Sequence, residues 1–277
     1  MLTGARLAAS GHEVTMIARE RTAAALLVDG IRLRRGTEEV RARPLARTSL
    51  VEPVDLLVVS VKATGLLAAL ARCPPGIVGG ALVVPFLNGV DHVAVLRGAF
   101  PQARVVPGAI RVQVTLVAPG DAIQGSPHED VVLPEGGDGD VVAEILGGAG
   151  FPIEREATEA RVLWAKLAVL APMALLCTAQ DAPLGEARDR RPERLAALVG
   201  EVVAAAATAG VRLDARVMGE RLAALPAEQQ PSMLTDRRAG AEPELEAIAG
   251  PILRAPTPQP ASETAAAVRD ILQSTGP

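Results

Sequence analysis

The sequence predicts an α/β protein, a doubly wound parallel sheet with its first strand missing, followed by an all-helical domain. Three observations carry this. Asp55 to Lys62, DLLVVSVK, is an apolar run without alternation, the pattern of a central parallel strand covered on both faces. Up to Ala149, short strand-like runs alternate with helix-like ones, as they do when helices cover both faces of a sheet. Beyond residue 156 the strand signals stop and only helical periodicity remains. A chain of 277 residues exceeds what one core comfortably supports, so an α/β domain is placed at 1–155 and a helical domain at 156–277.

Residues 2–9 form a short helix that Ser10-Gly11 ends, and His12 to Ala18, HEVTMIA, is a buried strand closed by Arg19. With a helix ahead of a strand, the opening βαβ unit lacks its first strand. A helix at 21–29 leads into a basic, hairpin-like segment at 31–47 and then the strand at 55–62. A helix at 64–71 precedes the strand Ala81 to Leu87, which Asn88-Gly89 closes. A helix at 91–100 is followed by strands at 104–106 and 110–117 and by shorter, antiparallel ones at 122–124 and 131–133. Gly136-Gly137-Asp138-Gly139 turns the chain into a helix at 141–149. The second domain has helices at 157–179, 192–209, 214–224, 233–249 and 262–273, with Pro-rich, charged loops at 181–192 and 225–231.

Composition narrows the function. With 49% hydrophobic residues but only 3 Phe, 1 Trp and no Tyr, the chain lacks platforms for stacking nucleobases. Its net charge of −4 is spread along the chain, which argues against nucleic-acid and membrane partners. No apolar run reaches the roughly 18 residues of a membrane span, so a cytoplasmic protein is expected. Cys73 and Cys177 sit in apolar surroundings and read as buried thiols of a reducing compartment. His12, His92 and His128 show no metal-ligand spacing; they read as structural or solvated, and no metal is expected.

The residues with chemistry to offer are few. Val162 to Thr178, VLWAKLAVLAPMALLCT, is an apolar helix holding a single charge, Lys166, beside a stripe of Leu163, Leu167, Leu170, Ala171 and Ala174. Burying a lysine costs several kcal/mol unless it is paired, so Lys166 either snorkels to water or works in a cleft. In an open parallel sheet, ligands sit beyond the carboxyl ends of the strands, where Arg19, Lys62 and Asn88 lie. An acidic residue at position 19 would take a ribose 2′-hydroxyl; Arg19 instead suits a 2′-phosphate, hence NADP(H), or is an ordinary solvated arginine. Lys62 and Asn88-Gly89 face one crevice if their strands are adjacent, or are a solvated lysine and a simple turn.

GHEVTMIAR at 11–19, VSVKA at 59–63, FLNGV at 86–90, WAKL at 164–167, PSMLTDRRAGAEPELEAIAG at 231–250 and PTP at 256–258 occur in this order. Together they make the chain resemble the ketopantoate reductases (2-dehydropantoate 2-reductases). The resemblance implies a Rossmann-type NADP-binding domain followed by an all-α, 6-phosphogluconate-dehydrogenase-like domain. It also implies hydride transfer to a 2-oxo acid, 2-dehydropantoate giving pantoate for pantothenate biosynthesis. Lys166 then matches the catalytic lysine and proton donor, and Glu244 its acidic partner. Asn88 and Ser232 fall at substrate positions, and Arg19, Lys62, Asn88 and Glu244 at cofactor positions. The chemistry is coherent, because an ammonium within hydrogen-bond reach of a ketone both stabilises the developing oxyanion and protonates it. A small-molecule substrate is the one partner expected, with the protein a monomer or homodimer.

Two departures from the family modify these expectations. Family members carry asparagines four and eight residues after the lysine, where this chain has Leu170 and Ala174. A buried polar substrate group left unpaired costs about 1–3 kcal/mol, so a less polar 2-oxo acid or related ketone is expected to bind against them. The family's first strand and its G-x-G-x-x-G turn, the pyrophosphate cradle, would precede Met1. The expectation is that Met1 is not the native start, or that this form binds NADPH weakly and is marginally stable. The alternative function is that of a non-catalytic, truncated paralogue.

Overall fold

In the computed structural model, which describes residues 1–126 and 129–273, the chain opens on a helix. α1 (Leu2–Ala9) buries Leu2, Ala5 and Leu7 and is closed by Gly11 at φ +93°, with the His12 N–H returning to the Leu7 carbonyl. β1 (Thr15–Ile17) leads through α2 (Glu20–Asp29) to a hairpin of β2 (Ile31–Arg35) and β3 (Glu38–Ala42), and then to β4 (Leu45–Arg47), parallel to β1. The 31–47 segment is therefore a hairpin plus a further strand. β5 (Leu56–Val59) is followed by α3 (Leu66–Leu70), a short α4 (Pro75–Val78) and β6 (Leu82–Pro85). α5 (His92–Ala99), β7 (Arg104–Val105), β8 (Ala109–Arg111), β9 (Val114–Ala118), β10 (Asp121–Gln124), β11 (Asp130–Pro134), α6 (Asp138–Gly148) and β12 (Ile153–Glu156) complete the α/β part. His128 lies outside the described residues.

Pairing among the described residues gives four short sheets: β1-β4, β3-β2-β10-β9, β12-β11-β8 and β5-β6-β7. β5, β6 and β7 are parallel, as are β11 and β12. β1 is paired only with β4 and β5 only with β6, so each has an unpaired edge among the described residues. All four residues of β6 are buried, whereas Leu56, Leu57 and Val58 of β5 are half-buried.

The helical part comprises α7 (Glu159–Gln180), α8 (Leu184–Arg190), α9 (Pro192–Thr208), α10 (Ala215–Ala223), α11 (Ser232–Arg238), α12 (Leu245–Arg254) and α13 (Ser262–Gln273). Three expectations are corrected. The 181–192 loop contains α8, and Ile153–Glu156 is a strand. The helix expected at 233–249 is two helices, because Gly240 takes φ +68° and Pro243 has no N–H to continue the ladder. The break places Glu244 at the N-cap of α12. α7 is also long and apolar enough to cross a membrane, contrary to the expectation that no such run exists. With 72% of its apolar window buried by this fold, it serves as a core helix.

The chain divides into two compact units. The α/β unit (Met1–Val61, Gly65–Phe86 and Val93–Glu159) is built around Leu26, Ile31, Val84, Leu133 and Leu146. In it Glu129, buried, takes Arg6 of α1 at 2.5 Å and Arg35 of β2 at 3.2 Å. The helical unit packs Leu167, Ala171 and Leu175 of α7 against Leu198, Val202, Leu222, Ile248 and Ile271. It comprises Ala160–Pro277 and two short segments, Lys62–Thr64 and Leu87–His92, that follow β5 and β6 in the chain.

Candidate active site

The two short segments bring polar residues onto the helical unit, and Glu244 receives both. Glu244 is 6% exposed; its Oε1 accepts the Ala63 backbone N–H at 2.7 Å and its Oε2 accepts Asn88 Nδ2 at 2.9 Å. A carboxylate out of water has to be paired in this way, so Glu244 is not a solvated surface residue. Gly89 completes the turn at φ +83°, and a Cβ built there would lie 2.2 Å from the Ala247 carbonyl oxygen on the first turn of α12. Asn88-Gly89 is thus a turn and part of the site at once.

Lys166, on α7 and half-buried, donates from Nζ to the Leu87 carbonyl at 3.3 Å. Burial pushes its pKa from 10.5 down to about 8, against the opposing pull of Glu244. Lys62 donates to Asp236 Oδ1 at 2.7 Å. Asp236 stands four residues after Ser232 on α11, on the same helical face, and its Oδ2 is buried without a hydrogen bond. Asp236 was not legible from the sequence, although an acid one turn beyond a candidate substrate serine was the available signal. Ser232 itself is exposed at the first position of α11.

The remaining candidates separate. Leu170, one turn beyond Lys166, is half-buried against the helical core. Ala174 is 0% exposed, so it packs the core and offers no surface to a substrate, because a second turn along α7 runs into the bundle. Arg19 belongs to the α/β unit, exposed at the end of β1 and at the N-cap of α2. Among the described residues no cluster of His, Cys, Asp or Glu could hold a metal. Burial pushes the Cys177 thiol up to about 12 and raises that of Cys73, so neither is an activated nucleophile. A depression of about 500 Å³ in the α/β unit is lined by the closed ion pairs Arg97–Glu159 and Arg104–Asp138 and contains no candidate residue.

The composition also singles out two residues. Of the 28 basic residues, only Lys62 and Lys166 are lysines; the other 26 are arginines. Arginine keeps its proton, whereas an ammonium is compact and releases one when its surroundings favour it. In a chain that otherwise uses arginine, Lys62 bonds Asp236 on α11 and Lys166 of α7 bonds the Leu87 carbonyl, next to the Asn88 that Glu244 holds.

The chain thus joins an α/β unit with parallel strands to a helical unit that holds the buried Glu244 carboxylate and a lysine of lowered pKa, the plan of a two-domain α/β protein. The profile of the family described as "Ketopantoate reductase PanE/ApbA" matches residues 1–137, and that of its C-terminal part matches residues 160–258. The chain belongs to this family. The 2-dehydropantoate 2-reductase of Mycobacterium tuberculosis is 30% identical over 238 residues, 81% of this chain and 78% of that protein. The oxidoreductase YkpB of Bacillus subtilis is 24% identical over 249 residues, 86% of this chain and 82% of that one. The crystal structure of a PanE/ApbA family ketopantoate reductase from Ralstonia eutropha JMP134 superposes with a TM-score of 0.86 at 25% identity, covering 99% of this chain and 95% of that one. A D-mandelate dehydrogenase solved with NADH and anilino(oxo)acetate shares the fold, with a TM-score of 0.85 at 21% identity over 99% of this chain and 94% of its own.

Proposed function

We propose that this protein reduces a 2-oxo acid, 2-dehydropantoate or a less polar relative, to its 2-hydroxy acid with NADPH, and that Lys166 is the proton donor. The observation that carries the reading is the half-buried ammonium held on the Leu87 carbonyl, its pKa lowered to about 8. Such a lysine stays mostly charged at neutral pH yet gives up its proton far more readily than an exposed one. When bound, the nicotinamide supplies the hydride to the carbonyl carbon. Lys166 Nζ stabilises the charge that gathers on the oxygen and delivers its proton there. Glu244 keeps Asn88 and the Ala63 backbone in place and supports the charge on Lys166. Lys62, oriented by Asp236, and Ser232 supply further polar contacts for cofactor and substrate.

The residues fit a dinucleotide in part. Arg19 is an exposed guanidinium suited to a 2′-phosphate, which favours NADPH over NADH. The described residues contain no G-x-G-x-x-G turn to cradle a pyrophosphate. The second reading is a non-catalytic relative with impaired cofactor binding, and whether NADPH binds separates it from the first. Leu170 beside Lys166 favours a substrate with an apolar substituent near the ketone. A cytoplasmic monomer or homodimer without nucleic-acid or membrane partners accords with the charge pattern.

The test is NADPH oxidation with a panel of 2-oxo acids, 2-dehydropantoate included. Turnover should fall by about 10²–10⁴-fold in Lys166→Met. If no 2-oxo acid is reduced and NADPH fluorescence does not change on titration, the second reading replaces the first.

A further inference from the structure

α12 carries Gly250 and Pro251 side by side in its interior, the two residue types least suited to a helix, and each has a use in seating the site turn. Pro251 has no N–H to offer the Ala247 carbonyl four residues back, and that carbonyl is the one Gly89 sits against. Gly250 leaves bare the position between Glu246 and Arg254: a Cβ built there would lie 2.5 Å from Glu246 Oε1 and 2.7 Å from Arg254 Nη1. Helix side chains lean towards the N-terminus, so the Arg254 guanidinium runs back along α12 over this gap. There Nη1 bonds Glu246, two turns away and beyond the usual i,i+4 reach, and Nη2 bonds Asp91 Oδ2 at 2.5 Å. Asp91 stands three residues after Asn88 in the segment Leu87–His92. One short segment is thus tied to both ends of α12, by Asn88 on Glu244 and by Asp91 on Arg254.

We propose that Arg254 is a positioning residue: braced by Glu246, it holds Asp91 and so seats the Leu87–His92 segment on α12, fixing the Leu87 carbonyl that receives Lys166 and the Asn88 amide. The guanidinium fork is what permits this, since its two arms reach two carboxylates at once in a fixed plane, a geometry that a lysine ammonium does not match. Arg254, Asp91 and Glu246 are each more than half exposed, and pairs so placed add little to stability. The contact therefore acts on the orientation of the turn more than on the fold. The role rests on Lys166 and Asn88 serving the reduction proposed above, but the seating of the turn is read without turnover.

Asn88 is the only asparagine in the chain, so ¹⁵N-asparagine labelling of the free protein gives one side-chain amide, the one that Glu244 holds. Arg254→Ala and Asp91→Ala should each speed its exchange with solvent by about threefold or more, and the double variant no further, because both break one contact. Gly250→Ala separates orientation from stability. Its methyl group displaces the Arg254 head, so the same speeding is expected, while alanine suits the helix better and the urea midpoint should not fall. Arg216→Ala, which breaks an exposed pair with Glu220 on α10, should leave the exchange at the wild-type rate. A wild-type rate in Arg254→Ala, or additive effects of Arg254→Ala and Asp91→Ala, overturns the proposal. Should Arg254→Ala fail to fold, Gly250→Ala decides in the same way. Where a 2-oxo acid is turned over, kcat/KM should fall by about threefold or more wherever exchange is faster, and undiminished turnover overturns the positioning role. Faster exchange in a protein that reduces nothing removes the reductase reading and leaves the seated turn standing.

Discussion

Asn88 Nδ2 donates to Glu244 Oε2 at 2.9 Å while the other oxygen of the same carboxylate takes the Ala63 N–H at 2.7 Å, so one buried charge holds two loops. Glu244→Gln keeps one acceptor oxygen and turns an NH₂ group towards the second donor. Losing one charge-assisted contact costs about 2 kcal/mol, read as a lower urea midpoint at constant m-value. Because Glu244 supports the Lys166 charge, the lysine midpoint should also fall below about 8 in this variant. If stability and lysine titration both match the wild type, Glu244 does not hold the loops.

Some of this was legible in the sequence, and the reason differs by element. Leu56–Val59 stood out as an apolar run without alternation, but its first three residues are half-buried and it pairs only with β6 among the described residues, so the expectation of a strand covered on both faces does not hold. Lys166 stood out as a lone charge in an apolar helix. Ile153–Glu156 did not, because IERE is short and mostly charged, and pairs with β11 only once the chain has folded. The break at 239–244 was hidden because apolar spacing continues through it, while the deciding features are one positive φ and one missing N–H. Asp236 could not be paired with Lys62 by pattern, since 174 residues separate them. The full burial of Ala174 depends on the depth of α7 in the bundle, which helical spacing alone does not give.

Lysine and histidine titration give stability a defined slope with pH. Lys166 has its folded pKa lowered from 10.5 to about 8, so between these values the unfolded chain holds a proton that the folded chain has released. Stability therefore rises with pH across that window. Lys166→Met removes the cost of the buried charge; it should be more stable than the wild type at pH 7, with the gap closing towards pH 10. His92, lowered from 6.5 to about 4, makes stability fall as pH drops through that interval, because the unfolded state takes the proton first. Urea denaturation across the two windows checks both slopes, and a pH-independent Lys166→Met difference would contradict the first.

Gly89 tests the seating of the site turn on α12. Gly89→Ala must place a Cβ 2.2 Å from the Ala247 oxygen at φ +83°, whereas at Gly36, φ +56°, nothing lies within 4 Å. Gly36→Ala should cost about 1 kcal/mol from backbone strain alone, and Gly89→Ala about 2 kcal/mol more, with loss of activity. Equal costs in thermal unfolding would show that the turn does not rest on α12.

Arg19 tests the choice of cofactor. If its guanidinium takes the 2′-phosphate, Arg19→Ala should weaken NADPH by about tenfold or more and leave NADH unchanged, since a charge-assisted contact is worth about 1.5–3 kcal/mol. Fluorescence titration with both nucleotides gives the ratio. Equal weakening, or none, would return Arg19 to the ordinary solvated arginines.

Leu170 tests the substrate. Its side chain lies one helical turn beyond Lys166 and is half-buried, so a hydroxylated 2-oxo acid directed at it would desolvate polar atoms with nothing to receive them. Leu170→Asn supplies a donor and an acceptor at that point. The kcat/KM ratio of 2-dehydropantoate to an aliphatic 2-oxo acid of similar size should rise by about tenfold or more, the worth of one restored hydrogen bond. Ala174→Asn is the control: at 0% exposure the amide is buried in the bundle, where it destabilises the fold and leaves the ratio unchanged. If Leu170→Asn also leaves the ratio where it was, the side chain at this position does not select the substrate, and the preference for an apolar 2-oxo acid loses its basis.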